Sequence, residues 1–136
     1  MDLRKCAVAE TKRLHLRDAE DNLLYSDADQ KLPCVVVLYG PGSKAFARAQ
    51  ANRNNRMMDE LKRKGKSDKT AEQNQRETAM FLADCTAAWE NVEIDDLSGR
   101  DLSLAVYEDR SIGFFADQVN KELADWANFT SASTQS

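Results

Sequence analysis

An α+β fold is the class this sequence predicts: a small antiparallel sheet, formed by an N-terminal hairpin and a central strand, packed with a long helical hairpin and a C-terminal helix. Three observations predict it. Thr11 to Arg17 alternates in the period of a half-buried strand, with Leu14 and Leu16 on one face and Arg13, His15 and Arg17 on the other. Cys34-Val35-Val36-Val37-Leu38-Tyr39 is a continuous, β-branched run suited to a strand covered on both faces. Phe115, Val119, Leu123 and Trp126 recur at spacings of 4, 4 and 3, the apolar stripe of a helix.

Taking the elements in order, Asp18-Ala19-Glu20-Asp21-Asn22 supplies turn-forming side chains between the first strand and Leu23-Leu24-Tyr25, which is a hairpin signal. Leu32-Pro33 opens the central strand, and Gly40-Pro41-Gly42 closes it. Ser43 then stands where an N-cap belongs, its hydroxyl placed to accept from an amide of the first helical turn. The helix that follows from Lys44 keeps Phe46, Ala49, Met57 and Leu61 near one face, yet is polar through Asn52-Arg53-Asn54-Asn55-Arg56, so its outer half is expected to leave the core.

Lys62 to Lys69 reads as an exposed, mobile basic connector, since like charges repel and Gly65 breaks the helix. Ser67 or Thr70 restarts a helix through Gln73, Glu77, Phe81, Cys85, Ala88 and Trp89, completing the helical hairpin. Val92 and Ile94 add a short strand or edge, and Asp95-Asp96-Leu97-Ser98-Gly99 makes a turn. Asp101 or Ser103 is the expected cap of a short helix through Leu104, Val106 and Tyr107, before the last helix begins near Ser111. Residues 1–129 thus form a single domain, and residues 130–136 a disordered polar tail too poor in apolar surface to fold.

Most of the aromatic mass lies between Met80 and Phe129, including both tryptophans and four of the five phenylalanines. The core anchors expected are Phe46, Phe81, Trp89, Phe115, Val119, Leu123 and Trp126, with both indoles buried and sharing neighbours.

Composition narrows the function. With 136 residues, 42% hydrophobic and 31% charged, the chain has one domain's worth of ordinary globular protein. A net charge of −4 argues against a surface wholly devoted to nucleic acid or anionic lipid. Charge is polarised, however: Arg48 to Lys69 holds eight Lys/Arg against three Asp/Glu, whereas Asp84 to Asp125 holds three against eleven. The basic segment offers Arg48, Arg53, Arg56, Lys62, Arg63, Lys64, Lys66 and Lys69 as partner-binding residues, suited to an acidic protein partner or to an acidic face of another copy. It has no aromatic residue to stack bases, so nucleic acid is not the expected ligand.

No catalytic, metal or cofactor site is expected. Cys6, Cys34 and Cys85 are widely spaced, without a C-x-x-C pair, and His15 is the single imidazole. Gly40-Pro41-Gly42-Ser43 lacks the phosphate-loop spacing, and Pro41 removes an amide donor. Glu93, Asp95 and Asp96 lack the alternating ligands of a calcium loop. No apolar run approaches a membrane span, and the expected compartment is the reducing cytoplasm.

The order of elements carries a resemblance. Val35 to Ser43 leads into Phe46-Ala47-Arg48-Ala49; Leu82 to Val92 includes Trp89-Glu90-Asn91-Val92; and an Ile112 to Phe129 segment closes the domain. Over residues 10 to 129 this resembles the tail assembly chaperones of long-tailed bacteriophages. In those proteins a strand ends in a small-residue turn before an S-x-x-Y/F helix start, matched by Ser43 and Phe46, and a W-x-x-V junction follows the second long helix. Their C-terminal helix finishes in an aromatic, here Phe129. The turn often reads Asp-Gly-x-Pro in the family, whereas Asp95 to Gly99 has no proline. The resemblance implies a non-enzymatic protein of the host cytoplasm that binds and solubilises the tape measure protein and helps recruit tail-tube subunits; a homo-oligomer, with the basic segment of one copy on the acidic face of the next, is the alternative use of those charges. The other expectations are a head-tail or tail-terminator component retained in the virion and, behind it, a small nucleic-acid-binding regulator.

Overall fold

The computed structural model describes residues 1–64 and 70–130. It is an α+β domain with a three-stranded antiparallel sheet in the order β1-β2-β3. Strand β1 (Thr11–His15) pairs with β2 (Val35–Tyr39) in the register Thr11 to Tyr39 and His15 to Val35. As the β-branched run predicts, β2 is central, and Val35, Val36 and Leu38 are buried. The expected hairpin partner, Leu23 to Tyr25, makes only isolated bridges, Arg17 to Leu23 and Tyr25 to Pro33. Residues 16–34 form instead an arm in which Leu16 N–H donates to Cys34 O, Cys34 N–H to Leu24 O, and Leu24 N–H to Leu16 O, at 2.9, 3.0 and 3.0 Å.

The strand β3 (Thr86–Glu90) occupies residues expected to continue the second long helix. Helix α2 (Ala71–Asp84) stops at the Cys85 cap, and Tyr39 N–H donates to Cys85 O at 2.7 Å as β3 aligns on the open side of β2. An unpaired row of amides and carbonyls on a central, buried strand costs more than the weak strand propensity of Ala87 and Ala88, so the sheet takes the segment. A register shift between Val37 and Leu38 marks where the pairing adjusts. Val92 and Ile94, expected as a strand or edge, lie in the connection that follows.

Helix α1 (Lys44–Lys64) starts as expected: Ser43 Oγ accepts from Phe46 N–H at 3.1 Å and donates to Gly40 O at 2.8 Å. It continues through Lys62 and Arg63, which were expected in the connector; residues 65–69, the rest of that connector, lie outside the described residues. Thr70 caps α2 in a reciprocal box with Gln73. Ser98, and not Asp101 or Ser103, occupies the N-cap of α3 (Gly99–Glu108), while Ser103 is buried inside the helix. Helix α4 (Gly113–Leu123) follows a single 3₁₀ turn, and Asp125 caps a last one, Trp126–Phe129. The expected polar tail falls outside the described residues from Ser131 onward.

The core lies between the sheet and the α2, α3 and α4 layer, with Leu38, Leu82, Tyr107, Val119 and Phe129 among its most buried side chains. Of the expected anchors, Phe81, Val119 and Leu123 are buried, and Phe46, Trp89 and Phe115 pack half-buried against them. Trp126 is the exception, 57% exposed. The α4 stripe ends at Leu123, so the spacing that pointed Trp126 inward no longer applies, and the 3₁₀ turn buries Phe129 in its place. Phe129 packs so closely on the sheet that a Cβ at Gly40 would stand 2.3 Å from its ring.

Candidate binding surfaces

Packing divides the basic segment. Arg53 lies over the Phe81 ring, 4.8 Å from its centroid, and Phe46 meets the same ring edge-on at 5.8 Å. Arg56 Nε donates to Glu77 at 2.7 Å, and its Nη1 lies 3.8 Å from Asp84, which Arg100 of α3 also engages. Arg53 and Arg56, two of the partner-binding residues expected from sequence, are therefore turned onto α2 and are half-buried. Arg48, Lys62 and Arg63 are exposed; Lys64 ends α1, and Lys66 and Lys69 lie outside the described residues. The cleft between α1 and α2, about 640 Å³, mixes Lys62, Arg63 and Arg76 with Asp59, Glu60 and Glu77. Its alternating signs make it a poor uniform anion site.

Reactive side chains are dispersed or engaged. His15 Nε2 lies 2.7 Å from Leu24 O and its ring meets Tyr25 edge-on at 4.9 Å, fastening the arm to β1. Burial pushes the Cys85 thiol up to about 12, with Asp84 adding to it, and burial also raises that of Cys34, whose Sγ donates to Asn91 O. Cys6 is exposed. The Arg13 hydrogen bonds hold Glu90 below the usual carboxylate range. Ser111 does the same for Asp109, and the Asn22 amide for Asp18. Among the described residues no group of three or more His, Cys, Asp or Glu is placed to hold a metal ion, and Glu93, Asp95 and Asp96 sit on an exposed turn.

A second surface has the opposite character. An open groove of about 670 Å³ lies where the 16–34 arm meets the segment after β3 and the adjoining helices. The arm contributes Leu16, Leu24, Leu32 and Cys34; β3 and its connection contribute Trp89, Val92 and Ile94; the helical side contributes Val106, Ile112 and Phe115. Trp89 is held in place by its Nε1–H, which donates to Ser103 Oγ at 2.8 Å, and by Tyr107 at 5.6 Å between centroids. At the arm's tip the Asp27 carboxylate accepts from the amides of Lys31 and Leu32, folding a compact loop that leaves Leu32 48% exposed.

Trp89 and Phe115, picked from sequence as core anchors, therefore serve as groove walls as well. The place of the groove is not legible in the sequence. Its only sequence signal is apolar residues, Leu24, Leu32, Val92 and Ile94, in segments whose turn composition gives them no core of their own. No helix among the described residues is long and apolar enough to cross a membrane. No protein-family model matches the chain, and neither a curated protein nor a solved structure matches it significantly.

Proposed function

We propose that this protein is a non-catalytic tail assembly chaperone of a long-tailed bacteriophage or prophage, which binds the tape measure protein, keeps it soluble and helps recruit tail-tube subunits. The open apolar groove is the observation that carries the reading. A long amphipathic client aggregates through its apolar stripe until it is assembled, and a partner that covers the stripe needs an accessible apolar surface on a rigid scaffold. The groove supplies that surface, with Trp89 and Phe115 braced by the core behind them. The Ser43–Phe46 start of α1 and the Trp89–Val92 match in sequence support the same reading, with Trp89 near the end of β3 and not of a helix.

Co-expression with the tape measure protein of the same genome tests it. The wild-type chain is expected to hold the client in the soluble fraction, and Leu32→Glu, a change at an exposed groove position, to lose it while keeping its circular dichroism spectrum. A client that aggregates equally with and without the wild-type chain overturns the reading. Finding the chain at stoichiometric levels in purified virions supports instead a structural component of the tail.

A further inference from the structure

We propose that the groove selects its occupant by charge: it takes a helical segment whose apolar stripe is flanked by lysine or arginine. The inference rests on the chaperone reading and adds the chemistry of the client. The two loops that border the groove, residues 26–32 and 91–97, carry five carboxylates and one lysine. Asp29, Glu93, Asp95 and Asp96 are exposed, and Glu93 lines the groove directly. Among the described residues, no lysine or arginine lines it.

The one cation on these loops, Lys31, is exposed at the arm's tip, and arginines on neighbouring elements have other partners. Arg13 forms a two-pronged bond with Glu90, Arg17 contacts Asp21, and Arg110 donates to Gln75 on the α2 side. An apolar interior inside an acidic rim binds a stripe through burial and reads its flanks through Coulomb interaction, which affects specificity and encounter rate more than total affinity. An acid-flanked stripe of the same shape would bring like charges together at the rim. The basic outer half of α1 is, on this assignment, not the client handle.

Two synthetic 18-residue helical peptides with the same leucine stripe, one flanked by lysine and one by glutamate, test the assignment. Trp126→Phe is used as background, so that Trp89 reports from the groove, with calorimetry alongside. The lysine peptide is expected to bind at least about tenfold tighter at about 50 mM salt, with the ratio shrinking severalfold by about 500 mM as screening shortens to a few ångströms. Combined Glu93→Gln, Asp95→Asn and Asp96→Asn substitution should bring the two affinities together without abolishing binding. Equal affinities, or a preference that survives the triple substitution, overturn charge selection and leave the chaperone reading to stand on client solubility. Binding of neither peptide by a chain that still solubilises the client overturns the groove as the docking surface. Concentration-dependent burial of Trp89 without peptide, with a doubled mass, identifies a second copy as the occupant and overturns the proposal.

Discussion

The two indoles separate what packs from what is merely large. Trp89 is half-buried, hydrogen-bonded to the buried Ser103 and in contact with Tyr107, whereas Trp126 stands on the surface. Trp89→Ala is therefore expected to cost about 2–3 kcal/mol, and Trp126→Ala to stay within about 0.5 kcal/mol of the parent in urea denaturation. Gly40 makes the converse case. The Phe129 ring, fully buried, occupies the space a Cβ would need. Gly40→Ala should cost about 1–3 kcal/mol by overpacking, a loss visible as a lowered urea midpoint. Cys85 and Tyr107 set an alkaline limit. Burial raises the ionisation of both, Cys85 to about 12, so the folded state keeps protons that the unfolded chain releases from about pH 8.5 and 10. Their contribution is whole below about pH 8.5 and is lost as pH climbs toward 12. Stability measured at pH 8 through 11 should fall, and Cys85→Ala combined with Tyr107→Phe should flatten that slope.

Among the elements, the pairing of α1 with α2 joins the Phe46–Phe81 contact to side chains that look solvated in the sequence. Arg53 lies on Phe81, and Arg56 sits between Glu77 and Asp84, whose side chains are 16% and 13% exposed. Removing Arg56 takes the cation from the largely buried Glu77 and leaves Asp84 with Arg100 alone. Arg56→Ala is expected to cost about 2 kcal/mol, more than an exposed ion pair is worth and less than a fully buried one. Arg63→Ala, at an exposed position on the same helix, should leave the melting temperature unchanged, which makes it the control. The arm is tied down by equally polar means. Gln118 of α4 accepts from Arg17 N–H at 3.0 Å and donates back to Arg17 O at 2.7 Å, standing in for a neighbouring strand where β1 runs out.

Taken as a whole, the molecule keeps its charge asymmetry but not in the arrangement the composition suggested. The basic pole loses Arg53 and Arg56 to intramolecular contacts, and from the acidic half Glu93 reaches the groove. Reversing Lys62, Arg63, Lys64 and Lys66 to glutamate should therefore leave groove binding of an apolar peptide within about twofold, whatever it does to association between copies. A tenfold loss of peptide binding in that variant, with the fold intact by circular dichroism, would return the client handle to the basic helix.

Local chemistry determined the central strand, the Ser43 cap, the α4 stripe as far as Leu123 and the α+β class, and narrowed the start of α2 to Ser67 or Thr70, because each depends on neighbours within a few residues in sequence. Three features were decided only by the tertiary structure. Thr86 to Glu90 fits a helical period through Cys85 and Trp89, but the open edge of β2 needed a partner and took it. Trp126 continues the α4 spacing, but the helix ends before it and Phe129 fills the site beside Gly40. The groove is assembled from residues about 100 apart in sequence, from Leu16 to Phe115, none of which signals a site by itself. Periodicity reports which face of an element is apolar; which apolar faces are covered, and which are left open for a partner, follows from long-range packing.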